Sequence, residues 1–373
     1  MAEQVTAAVR TGKRNIELRE FPMPDIPADA ALLKVEAAGM CAAYEMFGGD
    51  LDNFLGPDPV IMGHENVGTL VKVGKIFAQR WGVEEGDYLA LEEYSPCYRC
   101  EYCLMGEYRR CYEEYALHNK NYFHFGSTAI TREPSLWGGY SQYLYLPLNV
   151  AFQKMPRTVR PEVAALMLPL ANGVQWGVKE PQTAPGKTLL IQGPGPKGLG
   201  CVLAAKIHGA SNIIISGLSK DARRLEVAKA LGADHVIDVQ KEDLVEKVLE
   251  YTDGEGVDGS VDCTTSDSPK ISLSAVEALR RGRGGGIIVM QGRPIPDFPF
   301  GKLSEKYGSI RFTRGHNHDS VRIAGDWIAS GKYAKELEMQ ISHQFPLSQT
   351  AEACRVSGGE GGDPISVIVN PWG

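Results

Sequence analysis

Three groups of residues in this 373-residue chain have the types and spacing needed for chemistry. The densest is Cys97-x2-Cys100-x2-Cys103-x7-Cys111, which holds half of the eight cysteines. Four thiolates at this spacing close tetrahedrally around Zn²⁺ and leave no open coordination position, so an ion held there is structural. Pro96 and Gly106 help the chain curl around it. An iron–sulfur cluster also takes four thiolates, but nothing else in the sequence points to electron transfer.

The second group is Gly193-Pro-Gly195-Pro-Lys197-Gly198-Leu199-Gly200, which follows the apolar run Thr188–Gln192 and opens a helix-like segment. A glycine at the turn, a second where backbone approaches a pyrophosphate and a third for close helix packing form a dinucleotide cradle at a helix N-terminus. The plainer alternative is a glycine-rich turn that binds nothing. NAD-binding chains usually place an acid at the end of the next strand. Here that point reads Ser216-Gly217-Leu218-Ser219-Lys220, with Asp221 displaced and Arg223 and Arg224 just beyond. Ser219, Lys220 and Arg223 therefore favour NADP over NAD, unless Asp221 reaches back to the ribose. The third group pairs Gly39-Met40-Cys41 with Gly63-His64-Glu65. Cysteine and histidine are good zinc ligands and a neighbouring carboxylate can support them, although each is also common as an ordinary buried side chain.

The elements that must position these groups differ along the chain. The first 150 residues read as β-rich and proline-punctuated, with strands expected over Ala30–Ala38 and Gly68–Val73. From Gly186 strands and helices alternate. Strands are expected over Thr188–Gln192, Asn212–Ser216, Val236–Val239, Gly259–Asp262 and Gly286–Gln291, and helices over Leu199–Ile207, Ala222–Leu231, Leu244–Tyr251 and Ile271–Arg281. That alternation predicts an α/β fold with a doubly wound parallel sheet. After Ile310 it stops. We expect residues 310–373 to rejoin the first domain, with a helix over Val321–Ser330 and a closing strand over Ser366–Asn370.

Length alone argues for two domains, because single cores stop growing at about 250–300 residues. A hydrophobic content of 43% and a charged content of 23% exclude a disordered chain. The net charge of −7 argues against a nucleic-acid surface. No apolar run nears the roughly 20 residues that span a bilayer, and the N-terminus lacks the apolar core of a signal peptide. A cytoplasmic location is the expectation, and clustered thiols suit a reducing compartment.

These residues, in this order, resemble the zinc-containing medium-chain dehydrogenase/reductase family, the alcohol, sorbitol and threonine dehydrogenase group. The resemblance spans essentially the whole chain. It implies a GroES-like β-rich catalytic domain from residues 1–160 and 310–373, a zinc lobe at about 95–113, and a Rossmann coenzyme domain over 161–309. It implies that Cys41 and His64 match the first two catalytic ligands and that Glu65 is their close neighbour. A homodimer or homotetramer is the expected state.

Four departures accompany the resemblance. Ala43 replaces the hydroxyl that exchanges a proton with substrate, Met46 the relay histidine, and Tyr44 the aspartate that orients the ligand histidine. The third ligand falls on Leu168 of Leu168-Pro-Leu-Ala-Asn-Gly173, and leucine cannot bind metal. We therefore expect zinc at Cys41, His64 and Glu65 to be weak or absent. The implied activity is hydride exchange between NAD(P) and an alcohol or carbonyl substrate, with zinc-independent reduction of an activated C=C or iminium bond as the alternative. In the latter Tyr44 could donate the proton. A dinucleotide-binding module without turnover is a third possibility. The aromatic stretch Tyr112–Leu136, with Tyr115, His118, Tyr122, Phe123, His124 and Phe125, is expected to line or cover the substrate cleft and favour a substrate with an apolar or ring portion, with simple packing as the alternative.

Overall fold

The computed structural model describes residues 4–41, 59–113, 123–266, 268–282, 284–291, 297–360 and 362–373. The chain divides into two compact units, residues 1–168 with 317–373 and residues 169–316. These junctions differ from the 160/161 and 309/310 expected from sequence, for a reason visible in the strands.

The first unit begins with β1 (Gln4–Gly12) and β2 (Asn15–Pro22), an antiparallel pair, followed by β3 (Ala31–Gly39), β4 (Val60–Ile61), β5 (Glu65–Val73), β6 (Tyr88–Leu91), β7 (Tyr143–Leu146) and β8 (Phe152–Lys154). In β3, Leu33 and Val35 are fully buried while Lys34 and Glu36 are only half-buried, the period-two signature of a sheet with one covered face. The core of this unit gathers Val9, Leu33, Ile61, Leu89, Phe125, Leu144 and Val369.

The second unit holds β9 (Thr188–Gln192), β10 (Asn212–Gly217), β11 (His235–Asp238), β12 (Gly259–Asp262), β13 (Ile287–Met290) and β14 (Ser309–Phe312). They form one parallel sheet in the order β11-β10-β9-β12-β13-β14. This is the dinucleotide-fold order, with a switch point between β9 and β12. Ile191, Ile214, Ile237 and Val261 are buried, as expected for strands covered on both faces. Its helices start and stop on local signals. Asp243 accepts from the Glu246 amide to cap Leu244–Glu250, and Gly232 ends Ala222–Leu231 with φ of 111°. β14 moves the second junction. Its Ser309-Ile-Arg-Phe run is too short and polar to read as a strand, yet it pairs along β13, so residues 310–316 stay with this sheet rather than leaving at Ile310.

The chain then returns to the first unit with β15 (Ile341–Pro346) and β16 (Ser366–Asn370). The resulting seven-stranded sheet runs β15-β16-β3-β5-β6-β8, with β7 also on β3, while β2-β1-β4 forms a separate sheet. Among the described residues no helix is long and apolar enough to cross a membrane.

Candidate active site

Sheet register builds the first site. In the antiparallel β3–β5 pair Gly39 lies opposite Glu65, so continuing the register sets Cys41 opposite Gly63 and beside His64. One ligand atom each from Cys41, His64 and Glu65 lie within 4.8 Å of one another. Gly39 must be glycine here, because a Cβ would lie 2.3 Å from Glu65 Oε2. Gly63 has φ of 96°, and the Asn66 side chain donates to its carbonyl at 3.2 Å. The Glu65 carboxyl is held well above the usual carboxylate range, chiefly by burial, with the Cys41 and Glu93 charges adding to the effect and His64 opposing it. Leu168 is buried. Ala43, Tyr44 and Met46 lie outside the described residues.

The same register logic brings in residues that sequence reading missed. β5 pairs with β6 with Val67 opposite Ala90, and continuing that antiparallel pairing sets His64 opposite Glu93. A further bridge joins Tyr94 to His124, and the Phe125 amide donates to the Glu93 carbonyl at 3.0 Å. Glu93 Oε2 thus sits 3.4 Å from His64 Nε2 and 3.3 Å from His124 Nε2. All three side chains are only 12–15% exposed, so they are sheltered without being sealed from solvent. Tyr94 meets the His124 ring edge-on at 5.0 Å, and Ser127 Oγ lies 3.0 Å from His124 Nδ1. The sequence clue to Glu93 was its place two residues past the apolar strand Tyr88–Leu91.

His124 apart, the described part of the aromatic stretch corrects its expected role. Phe123 and Phe125 are buried, and Phe123 packs edge-on against Phe125 and Trp137, each at 4.9 Å. They fill the core, so they give no support to an apolar or ring-bearing substrate. The exposed Tyr112 donates to Glu101 instead. Tyr115, His118 and Tyr122 lie outside the described residues.

The four-cysteine lobe is a second cluster in this unit. One sulfur each from Cys97, Cys100, Cys103 and Cys111 lie within 4.8 Å of one another. Cys97 and Cys103 are 3.9 Å apart, close to the edge of about 3.8 Å expected of a tetrahedron with Zn–S bonds of about 2.3 Å. The amides of Cys97 and Cys100 donate to the sulfurs of Cys111 and Cys97, each at 3.4 Å, as thiolates require. Beyond the lobe, Gly106 accepts from the His318 amide and the Tyr108 ring meets His318. The donor set fits structural zinc.

The second unit carries the glycine loop. Gly193 turns off β9 with φ of 101°, and Gly195 precedes the helix Pro196–Ile207. A Cβ on Gly198 would lie 1.9 Å from the Gly193 carbonyl, whereas one on Gly195 would meet nothing within 4 Å. The loop therefore keeps the close approach and the open space that a pyrophosphate needs. Leu199 is buried as helix packing. The Lys197 ammonium sits over the Trp176 ring, 3.9 Å from its centroid, so in this conformation it is aromatic-bound. Beyond β10, Asp221 is buried, accepts from the Leu218 amide and pairs with Arg224 at 3.1 Å. Ser219 donates to Asp238 at 2.7 Å, a partner the sequence did not suggest. Lys220 and Arg223 are exposed.

Comparison with known proteins follows this geometry closely. A family model described as the alcohol dehydrogenase GroES-like domain matches residues 27–157, and one described as zinc-binding dehydrogenase matches residues 196–330. A Mycobacterium tuberculosis protein named "Probable alcohol dehydrogenase adh" is 35% identical over 88% of this chain and 88% of its own. The sorbitol dehydrogenase of Bacillus subtilis is 31% identical, with 94% of this chain and 93% of its own covered. Among solved structures, an alcohol dehydrogenase from Thermotoga maritima superposes with a TM-score of 0.83 at 24% identity, over 99% of this chain and all of its own. The chain belongs to the zinc-type medium-chain dehydrogenase/reductase family and is an NAD(P)-dependent oxidoreductase of the alcohol dehydrogenase type.

Proposed function

We propose that this enzyme interconverts an alcohol and a carbonyl compound, and that the convergence of Cys41, His64 and Glu65 carries this reading. Bound to this chain, NAD(P) would exchange hydride with the substrate carbon, and zinc at the Cys41 corner would polarise its oxygen. The chain's own contribution is position. The β3–β5 register fixes the thiol and imidazole, and the turn after β9 presents the N-terminus of the helix Pro196–Ile207 to an anion. Relatives named sorbitol dehydrogenase and L-threonine 3-dehydrogenase, the latter from Pyrococcus abyssi and 34% identical, support a secondary alcohol as substrate.

Lys220 and Arg223 support NADP as the preferred cofactor, since they are exposed beyond β10 while Asp221 is turned inward onto Arg224. The exposed Phe300, Tyr307 and Phe312 near edge strand β14 support a homodimer or homotetramer. A cytoplasmic enzyme with reduced thiols suits cysteines that form no disulfide among the described residues.

Leucine at position 168 supports a second reading, zinc-independent reduction of an activated C=C bond. Following nicotinamide absorbance with secondary alcohols, polyols, amino alcohols, ketones and enones, each with both cofactors, separates the two. Turnover of enones alone would overturn the alcohol assignment.

A further inference from the structure

The second unit holds two cysteines that the proposed chemistry does not use, and the fold brings them together. Cys263 directly follows β12, and its amide donates to the Gln192 carbonyl at 2.9 Å, where β9 gives way to the Gly193 turn. In a sheet of this order ligands bind at the carboxyl ends of the strands where the order reverses, here between β9 and β12. Cys263 therefore sits on the floor of that crevice, and it is only partly buried. Cys201, in the second turn of the helix Pro196–Ile207, is fully buried. The two sulfurs are 3.8 Å apart, so a disulfide bond of about 2.05 Å asks for a closure of about 1.8 Å. Burial holds the Cys201 thiol well above its usual range, with Cys263 adding to the effect and Lys197 opposing it. Cys263 is thus the thiol that meets an oxidant first, and Cys201 the one placed to resolve it.

The glycine loop is built against this pair. A Cβ on Gly193 would lie 3.1 Å from both the Cys263 carbonyl carbon and the Thr264 nitrogen, and one on Gly198 would lie 3.6 Å from Cys263 Cβ. The helix has little room to yield, because a Cβ on Gly177 would lie 2.9 Å from Cys201 Cα. Closure must therefore draw in the Cys263 side, and the Gly193 turn with it. We propose that Cys263 and Cys201 are a peroxide-responsive pair whose disulfide disables the dinucleotide cradle. The Cys263 thiolate attacks hydrogen peroxide, forming an S–O bond as the O–O bond breaks, and the released hydroxide leaves as water with the proton that the thiol gave up. The Cys201 sulfur then attacks the sulfenic sulfur. An S–S bond forms, the S–O bond breaks, and the departing hydroxide takes the Cys201 proton as a second water. Two thiols lose two electrons, and one peroxide becomes two waters. A dithiol reverses the step by exchange, itself becoming a disulfide. The effect on the cofactor rests on reading the glycine loop as its cradle.

The full-length protein, treated with hydrogen peroxide, alkylated and digested without reduction, should yield a Cys201–Cys263 linked peptide. Fluorescence titration with whichever of NADPH and NADH binds more tightly should show affinity reduced about 5- to 100-fold, the range of ordinary coupling between sites, and restored by dithiothreitol. By the same linkage, cofactor bound beforehand should slow the cross-link. Cys263→Ser should keep the parent's melting temperature and lose the response to peroxide. Cys201→Ala should instead accumulate a sulfenic acid on Cys263 that dimedone traps. Thiols that both remain open to alkylation after peroxide, a disulfide that leaves cofactor affinity unchanged, or a loss of affinity that persists in Cys263→Ser would each overturn the proposal. No measurement here uses turnover, so an enzyme that reduces enones alone would defeat the alcohol reading and leave the thiol pair standing.

Discussion

The first unit contains two clusters of metal-binding side chains, assembled in opposite ways. The cysteine lobe takes all four ligands from Cys97–Cys111, where a short α-helix, Glu101–Leu104, and a 3-10 turn, Tyr108–Arg110, bring the sulfurs together. The Cys41 cluster takes its groups from the end of β3 and the start of β5, with Glu93 past the end of β6 beside His64 and His124 beside Glu93, residues separated by as many as 83 positions. A local cluster depends on the ion for its own order, because few of its side chains belong to the core. A register-built cluster is positioned by the sheet whether or not an ion is present. Loss of metal should therefore damage the lobe structurally and the Cys41 corner only chemically.

The largest expected effect breaks the lobe. Cys100→Ser removes one of four thiolates from a site whose binding energy is folding energy. We expect loss of one zinc, a fall in melting temperature of roughly 10 °C or more, and proteolytic cleavage near residues 97–111. An unchanged melting curve with unchanged zinc would refute a structural role. Under the same measurements Cys41→Ser should leave the melting temperature within a few degrees.

How far each region could be read from sequence follows the same division. The lobe and the glycine loop were legible because their geometry is encoded by spacing within a few residues. The parallel sheet was legible too, since Thr188–Gln192, Asn212–Ser216 and Gly259–Asp262 are apolar runs flanked by turn residues. β14 was not, because Ser309-Ile-Arg-Phe is polar and only its edge position admits it. Glu93 and His124 were illegible as partners of His64, because no local pattern reveals which rung of one strand meets which rung of another. Phe123 and Phe125 show the converse error, in which aromatic residues in an apparent loop prove to be core.

The second prediction tests whether the glycine loop is as locally determined as the lobe. Gly198→Ala forces a methyl to within 1.9 Å of the Gly193 carbonyl. The turn must open, at an overpacking cost of about 1–3 kcal/mol. Fluorescence titration should show NADPH affinity lower by roughly 10- to 100-fold, with zinc content untouched. Equal affinity in parent and variant would remove the loop from the cofactor site.

Cofactor preference is a smaller effect, carried by exposed charge. Arg223→Ala deletes a guanidinium that can contact a 2′-phosphate, an interaction of about 1.5 kcal/mol at the lower end for charged hydrogen bonds. NADPH should bind about tenfold more weakly while NADH is unaffected. If the parent binds NADH more tightly from the start, the assignment reverses. The carboxylate to examine is then Asp238, which already receives the Ser219 hydroxyl and pairs with Lys241 at 2.8 Å.

The smallest expected effect is the most informative about the register-built cluster. Ser127 touches His124 on the nitrogen facing away from Glu93, and its Oγ lies 3.0 Å from Nδ1. It is buried, so Ser127→Ala leaves that nitrogen without its hydroxyl partner in a sheltered place. A neutral hydrogen bond contributes about 0.5–1.5 kcal/mol net, so zinc affinity at the Cys41 corner, which His124 reaches through Glu93 and His64, should fall by roughly 3- to 10-fold at most. The sheet pairings at Tyr94–His124 and Phe125–Glu93 do not depend on that hydroxyl, so the melting temperature should move little. Ser127→Thr, which retains a hydroxyl, should recover most of the affinity if the added methyl is accommodated. Weakened zinc with unchanged stability would show His124 acting through an ordered imidazole. Unchanged zinc affinity in Ser127→Ala would mean that sheet register alone orients the ring, and the difference between the two clusters would then be sharper still.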